Sequence, residues 1–255
     1  MTNREIMKIA MAQSAADLCA EPADFEKSEN VIVTSCENEG ARRYLQLPFS
    51  CQLVSYGNNV VASVSPEFRE ITENYINKYP VEHLFETPHL HVLNDALIKK
   101  EQKVCFMAEY FLPDVNALRA LDCIYELHLL TQSDFADLYL PEWSNALCEK
   151  RKHLDVLGIG AYDGDELIGL AGCSADCDTM WQIGIDVLPA YRRQGIASAL
   201  TSRLAIEVLK RSKVPFYCAA WSNVGSVRNA IKSGFRPAWV EMTAKPRKTV
   251  EGLNE

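Results

Sequence analysis

The sequence predicts an α/β protein in two parts, an N-terminal α/β region over residues 1–123 and a second α/β domain over residues 124–255. Strand-like and helix-like hydrophobic patterns alternate along both parts. Hydrophobic residues make up 48% of the 255 residues and charged residues 24%, which is ordinary for a globular chain that can bury a core. No stretch approaches the ~20 consecutive apolar residues of a membrane helix. Because the N-terminus also lacks a signal-peptide pattern, we expect a cytoplasmic protein with no membrane partner.

The N-terminal region has no motif that carries a recognisable chemistry. Apolar residues at helical spacing predict a first helix over residues 4–19, and two prolines delimit a second over 67–78. A third helix is predicted around residues 94–102. Short apolar runs predict strands over residues 31–33, 53–56, 60–64 and 104–112.

The order of elements becomes regular after residue 124. Strands are predicted over residues 125–130, 156–162, 167–173, 180–188, 215–221 and 236–244. Helices are predicted over residues 131–140, 143–153, 195–211 and 224–233. The turn between the second and third strands is the Asp-Gly-Asp sequence at 163–165, a strong hairpin signal. We expect the polar tail from residue 245 onward to be loose.

Charge and cysteine usage exclude several function classes. The formal net charge is −8, which argues against a nucleic-acid partner because such proteins need a basic surface. Nine cysteines are scattered without a C-x-x-C pair, and only Cys173 and Cys177 lie close together. This spacing favours free thiols in a reducing compartment over a disulfide framework or a zinc ribbon. His89 and His91 could share one face of a strand, but they have no acidic or cysteine neighbour, so we expect no metal.

The most informative stretch joins a strand to a helix. Alternating apolar residues mark the strand, namely Trp181, Ile183, Ile185 and Val187. Apolar residues at every fourth position mark the helix, namely Ile196, Leu200, Leu204 and Val208. Pro189 ends the strand, so residues 192–197 form the connection between the two elements.

This connection has the properties of an anion site. The first turn of a helix has unpaired N–H groups, and its dipole adds partial positive charge. Gly195 has no Cβ to keep a phosphate from the backbone, and Ala197 is small. Arg192 and Arg193 can add charge-assisted hydrogen bonds. The segment predicts a diphosphate site, and the alternative is an ordinary turn with two solvated arginines.

Two motifs resemble a known family. The R-x-x-G-x-A spacing of residues 192–197 resembles the Q/R-x-x-G-x-G/A acyl-CoA signature of the GCN5-related N-acetyltransferases (GNAT). Trp221-Ser222-Asn223, followed by Gly234-Phe235, resembles the later motif of that family. The resemblance covers about residues 124–245 and implies the GNAT fold with a mixed central sheet. Residues 221–223 and 235–241 also resemble the subgroup that includes zwittermicin-resistance acetyltransferases, and the N-terminal region is a candidate degenerate copy of the same fold.

The resemblance implies acetyl-CoA as co-substrate and a primary amine, most simply of a small molecule, as acceptor. Three strand residues are expected to pair with the pantetheine arm through their backbone, namely Ile185, Asp186 and Val187. The residues expected at the diphosphate are Arg192, Arg193, Gln194, Gly195, Ile196, Ala197 and Ser198. Asn223 is expected to hydrogen-bond the pantetheine arm, with Ser226 nearby.

Catalysis requires a base, because an alkyl amine with a pKa near 10 must lose a proton before it attacks. The candidates are Glu142 and Asp186, with Glu241 as a third, although carboxylates in such positions are more often solvated surface groups than catalytic ones. Many family members place a tyrosine seven residues after the motif asparagine, where this sequence has Ala230. This departure keeps open a non-catalytic acyl-CoA-binding sensor or regulatory module. The acidic balance disfavours an enzyme that acts on RNA or chromatin, and the sequence leaves a homodimer open.

Overall fold

The computed structural model describes residues 1–255, which form two compact units. Unit 1 comprises Met1–Ile9 and Phe111–Pro237, and unit 2 comprises Ala10–Tyr110 and Ala238–Glu255. The chain therefore passes from one unit to the other three times. These units are defined by packing, and each combines two separate segments of the chain. They therefore do not correspond to a division at residue 123, which stays a prediction.

The chain forms ten strands and six α-helices. The strands are β1 (Val31–Thr34), β2 (Cys51–Ser55), β3 (Val61–Val64), β4 (Gln102–Pro113), β5 (Glu126–Thr131), β6 (Asp155–Asp163), β7 (Glu166–Ser174), β8 (Met180–Val187), β9 (Val214–Ala219) and β10 (Phe235–Pro246). The helices are α1 (Asn3–Leu18), α2 (Arg69–Ile76), α3 (His89–Ile98), α4 (Ile196–Lys210), α5 (Val224–Lys232) and α6 (Arg247–Gly252).

Unit 1 contains a mixed sheet in the order β9-β8-β7-β6-β5. Strand β8 runs parallel to β9, and the other neighbours in this order are antiparallel. Apolar residues of β6, β7 and β8 share one buried cluster with α4 and α5. The amphipathic spacing predicted for α4 explains this packing, because Ile196, Leu200, Leu204 and Val208 are all buried. The mixed sheet with helices confirms the predicted fold class.

Unit 2 contains a smaller sheet in the order β1-β3-β2-β10. Strand β1 runs parallel to β3, whereas β2 is antiparallel to both of its neighbours. The helices α2 and α3 bury their apolar residues in the same cluster as β2 and β3. Both strands are buried along their whole length.

A buried ion network lies inside unit 2. The guanidinium of Arg42 donates to the carboxylates of Asp17 and Glu241, and all three side chains are at most 3% exposed. Gln52 donates its amide to the second oxygen of Glu241 at 2.8 Å. Burial raises the pKa of Asp17. Glu241, considered above as a solvated group or a base, is therefore a buried partner of Arg42.

Several predicted helices and the tail differ from the structure. Residues 131–140 and 143–153 do not form long helices but 3₁₀ turns at Gln132–Phe135, Pro141–Trp143 and Glu149–Leu154. Pro141 lies in the first turn of the second of these, where proline is accepted because that N–H has no partner within the helix. The predicted third helix begins earlier, at His89, so the two histidines lie on a helix and not on a strand. The tail also contains α6.

One cysteine pair corrects the prediction of free thiols. Cys19, just after the end of α1, is bonded to Cys36, and the other seven cysteines remain thiols. The two partners are 17 residues apart, so their pairing follows from the path of the chain and not from a short motif. None of the helices combines the length and the hydropathy that crossing a membrane requires.

Candidate active site

The site begins where two parallel strands of unit 1 separate. Strands β8 and β9 pair only at three positions, from Met180 opposite Val214 to Gln182 opposite Phe216. Strand β8 continues to Val187 and β9 continues to Ala219 without further pairing between them. The backbone of residues 183–187 therefore has one edge that no strand covers, and unpaired strand edges accept extended ligands.

The connection after β8 turns sharply into α4. Gly195 is the residue that precedes the helix, with φ of +87° and ψ of −4°, and Arg193 has φ of +66°. An L-residue rarely adopts this left-handed conformation, whereas glycine does so freely. A Cβ on Gly195 would meet only one side chain, the ammonium nitrogen of Lys232 at 3.8 Å. The backbone at the start of α4 is therefore open to a ligand.

Two tyrosines hold this connection in place. The hydroxyl of Tyr191 donates to Asp163 at 3.0 Å and lies 3.4 Å from Glu166, and these hydrogen bonds raise its pKa to about 12. The hydroxyl of Tyr125 donates to the side-chain carbonyl of Gln194 at 2.9 Å. The two tyrosine rings also meet edge to face. These contacts fix the loop from both sides, which reduces the entropy that a ligand would otherwise have to remove.

A groove of about 340 Å³ lies against the start of α4. Its walls come from the end of β8, from the connection, from the first turn of α4 and from one face of α5. The lining residues are Val187, Tyr191, Arg192, Arg193, Gly195, Ile196, Ala197, Ser198, Gly225, Arg228, Asn229 and Lys232. Arg192 donates from Nε to the backbone carbonyl of Val187 at 3.0 Å, which orients its guanidinium.

The α5 wall of the groove was not predicted from the sequence. It contributes Gly225, Arg228, Asn229 and Lys232, which are spaced i, i+3, i+4 and i+7 and therefore share one helix face. Two of these residues are cations, so the groove has four basic side chains and not two. The helical spacing was readable in the sequence, but only the packing of α5 beside α4 shows that this face lines the groove.

Polar contacts fix α5 beside α4. Ser198 donates to the side-chain carbonyl of Asn229 at 3.1 Å, and the amide nitrogen of Asn229 donates to Thr201 at 3.0 Å. Asn223 accepts a hydrogen bond from the backbone N–H of Ser226 at 3.2 Å and so caps the start of α5. The capping bond occupies the amide oxygen of Asn223 and leaves its amide nitrogen free to donate.

A buried tyrosine lies under this contact. Tyr217, on β9, is buried, and burial raises the pKa of its hydroxyl. Ser226 does not line the groove. Ala230, at the position where family members often have a tyrosine, is fully buried.

The other residues predicted to bind acetyl-CoA contact different parts of unit 1. Ile185 packs against the apolar cluster of unit 1, and Val187 lines the groove. Gln194 is occupied by its contact with Tyr125 and does not line the groove. The carboxylate of Asp186 contacts a different segment of the chain, residues 145–146.

Asp186 anchors this segment through three hydrogen bonds. It accepts from the backbone N–H of Asn145 at 2.8 Å, from the Asn145 amide at 2.6 Å and from the backbone N–H of Ala146 at 3.0 Å. The segment also lies directly on Gly184, where a Cβ would overlap the carbonyl oxygen of Asn145. Glu142, three residues before Asn145, is exposed in the 3₁₀ turn Pro141–Trp143.

Comparison with known proteins identifies the family. The family model described as "GNAT acetyltransferase" matches residues 61–238, which is more than half of the chain and begins well before residue 124. Solved structures that are similar include a GNAT-family protein from Novosphingobium aromaticivorans, with 16% identity, a TM-score of 0.46 and 56% of this chain matched to 66% of that one. An acetyltransferase of the GNAT family from Colwellia psychrerythraea has 15% identity and a TM-score of 0.45, with 79% of this chain matched to 84% of that one. The comparison with curated proteins found no match.

These identities and TM-scores are low, so the family model alone supports the assignment. It confirms the resemblance of the two motifs and supports acyl transfer that depends on an acyl-CoA. The zwittermicin-resistance subgroup stays a prediction. On the match over residues 61–238, this chain belongs to the GNAT acetyltransferase family.

Proposed function

We propose that the protein transfers the acetyl group of acetyl-CoA to a primary amine of a small molecule by direct attack on the thioester. The observation that carries this proposal is the position of the groove. Its four basic side chains surround the start of α4, and Val187 links it to the uncovered edge of β8. A ligand with a diphosphate and a long amide-containing arm matches this combination of an anion site and a strand edge.

The residues present fit such a ligand. The first N–H groups of α4 and the glycine at position 195 suit the diphosphate. The backbone edge of residues 183–187 offers donors and acceptors for the amides of the pantetheine arm. Asn223 can donate its free amide nitrogen to the same arm, since its oxygen is used in the helix cap.

Acetyl-CoA supplies an activated acetyl group as a thioester. The amine nitrogen would form a bond to the acyl carbon, the carbon–sulfur bond would break, and the amine proton would pass to a base. Backbone N–H groups on the uncovered edge of β8 can stabilise the negative charge that develops on the carbonyl oxygen. A thiol with a pKa near 8.5 leaves readily as the thiolate, so the alanine at position 230 is compatible with the reaction.

We assign different functions to the two carboxylates that the sequence suggested for catalysis. Glu142 is exposed and forms no ion pair, so we assign the base to it, acting directly or through water. Asp186 already accepts three hydrogen bonds from residues 145–146, so we assign it a positioning function. It would hold the segment that carries Glu142 against β8.

Calorimetry with acetyl-CoA tests the binding part of this proposal. We expect wild type to bind with micromolar affinity, about −8 kcal/mol. Gly195→Glu should abolish binding, because it places a carboxylate among the phosphates. Gly57→Glu is the matched control, since Gly57 also has a positive φ of 97° and no atom lies within 4 Å of its Cβ position. Equal affinity in wild type and Gly195→Glu would refute the assignment of the site.

Release of free thiol in the presence of a panel of amines tests the chemistry. An enzyme should release coenzyme A only when a suitable amine is present, and Glu142→Gln should slow this release about 10²-fold to 10⁴-fold without weakening acetyl-CoA binding. Binding without thiol release for any amine would instead favour an acyl-CoA sensor. The alanine at position 230 is the feature that keeps this second candidate open.

A further inference from the structure

Strand β5 forms an edge of the unit 1 sheet that no strand covers. It is paired with β6 along its whole length, Glu126–Thr131, and its other side has no neighbour in the sheet. About half of its backbone N–H and C=O groups point to that open side, because these groups alternate along a strand. Proteins that remain monomeric usually protect such an edge with a proline, a lysine or a β-bulge. Strand β5 contains none of these.

An apolar groove of about 220 Å³ lies beside this edge, between β5 and α4. Leu127 and Leu129 line it from β5, and Ile206 lines it from α4. Leu129 is 48% exposed, and Ile124, just before the strand, is 83% exposed. The charged residues that line the groove are Arg203, Glu207 and Lys210. An apolar centre with a polar rim is the usual composition of a protein–protein interface.

The residue pattern of β5 is complementary to a second copy of itself. Two identical strands that pair antiparallel are related by a two-fold axis, and residues directly opposite each other lie on the same face of the sheet. With the axis at His128, Leu127 of each copy is opposite Leu129 of the other. Both leucine pairs then lie on the α4 face, so the two grooves join. No other register places both of these leucines opposite leucines.

Charge complementarity favours the same register. On the face of β5 opposite to the leucines, Glu126 is 3.0 Å from the imidazole of His128, whose ring packs edge to face on Tyr162. With the axis at His128, the imidazole of each copy also lies diagonal to Glu126 of the other, within reach of a long side chain. The two imidazoles therefore separate the two carboxylates, which are not placed opposite each other.

The area of such an interface reaches what a specific dimer needs. Residues 124–131 span about 27 Å as an extended strand, and the sheet together with the α4 layer is about 20 Å deep. Each copy would therefore bury roughly 500 Å², or ~1,000 Å² for the pair, which is the lower limit for specific protein–protein interfaces. An interface of this size corresponds to a weak dimer.

We propose that the protein forms a homodimer in which the β5 strands of two copies pair antiparallel, with the two-fold axis at His128. The pairing joins the two unit 1 sheets into one continuous sheet, with the α4 helices of both copies on the same side. The interface lies at the opposite end of the strand order β9-β8-β7-β6-β5 from the proposed acetyl-CoA site, so it does not rest on the proposed function.

Sedimentation over a range of protein concentrations tests the dimer. We expect wild type to dimerise with a dissociation constant of about 1–100 µM, as suits an interface of this size. Leu129→Lys places a charge in the joined groove from both copies, so it should raise this constant at least about 100-fold. Leu140→Lys is the matched control, because Leu140 is 45% exposed and lies outside the groove, and it should dimerise like wild type. Circular dichroism verifies that both variants fold.

Cysteine cross-linking tests the register without depending on the strength of the dimer. In His128→Cys, the new thiols of two copies face each other with Cα atoms about 4.5–5.5 Å apart, within the range that a disulfide spans. In Glu126→Cys, the new thiols are about 14 Å apart along the strands. We expect oxidation with diamide to convert His128→Cys into a covalent dimer on a denaturing gel. Glu126→Cys and wild type, which has seven free thiols of its own, should remain monomeric on this gel.

Three results would overturn the inference. Wild type that sediments as a monomer at concentrations above the expected constant would mean that the β5 edge is open or takes a different partner. A dimer that Leu129→Lys leaves intact would show that the copies associate through another surface. Cross-linking of Glu126→Cys as readily as of His128→Cys would exclude pairing about His128.

Discussion

Replacement of Gly195 by alanine should affect stability and ligand binding separately. The left-handed conformation at this position, with φ of +87°, costs a non-glycine residue about 1–2 kcal/mol. Loss of glycine also reduces the entropy of the unfolded chain by an amount equivalent to about 0.4–1 kcal/mol, which offsets part of this cost. The net destabilisation is therefore about 1 kcal/mol. For a chain of this size that corresponds to a fall in melting temperature of about 2–4 °C.

The effect on binding should be larger than the effect on stability. The new Cβ would project into the groove within 3.8 Å of the Lys232 ammonium, where the phosphates are expected. We expect affinity for acetyl-CoA, measured by calorimetry, to fall at least about tenfold, which corresponds to ~1.4 kcal/mol. Gly57→Ala, in the turn between β2 and β3 with φ of +97°, should lose similar stability without losing affinity. Unchanged binding in Gly195→Ala would refute the placement of the diphosphate at α4.

Three further predictions concern other parts of the structure. Arg42→Met should lower the free energy of unfolding, measured with urea, by about 3–5 kcal/mol, because it leaves two buried carboxylates without their cation. A loss below ~1 kcal/mol would show that the network contributes little. Asp186→Asn should lower kcat while leaving the dissociation constant of acetyl-CoA unchanged, since it weakens only the anchor of residues 145–146; a parallel loss of acetyl-CoA affinity would contradict this positioning function. The hydrogen bond from Lys210 lowers the pKa of Glu207, so the stabilisation is present above the ordinary pKa of 4.5 and is lost as the pH falls below it. Glu207→Gln should therefore cost about 0.5 kcal/mol in urea unfolding at pH 7 and nothing at pH 2, and a cost independent of pH would exclude the ion pair as its source.

The strand, the connection and the helix that form the proposed anion site could be predicted because they are consecutive in the chain. The alternation up to Val187, the glycine at 195 and the spacing from Ile196 onward each constrain the backbone within a few residues. The same short-range patterns also carried the family resemblance. They did not predict that residues 131–140 and 143–153 form only short 3₁₀ turns, because propensity over ten residues does not reveal which turns the tertiary packing will stabilise.

The sequence by itself predicted the family and the fold class, and it singled out the segment that we propose binds a diphosphate. Only the tertiary structure decided that α5 supplies the second pair of cations, that β8 and β9 separate after Gln182, and that Asp186 anchors a segment 41 residues earlier in the chain. It also showed that Glu241, which the sequence suggested as a candidate base, is the buried partner of Arg42, 199 residues away. The physical reason is that hydrogen bonds and ion pairs form between groups that are close in space, and sequence patterns specify closeness only along one element.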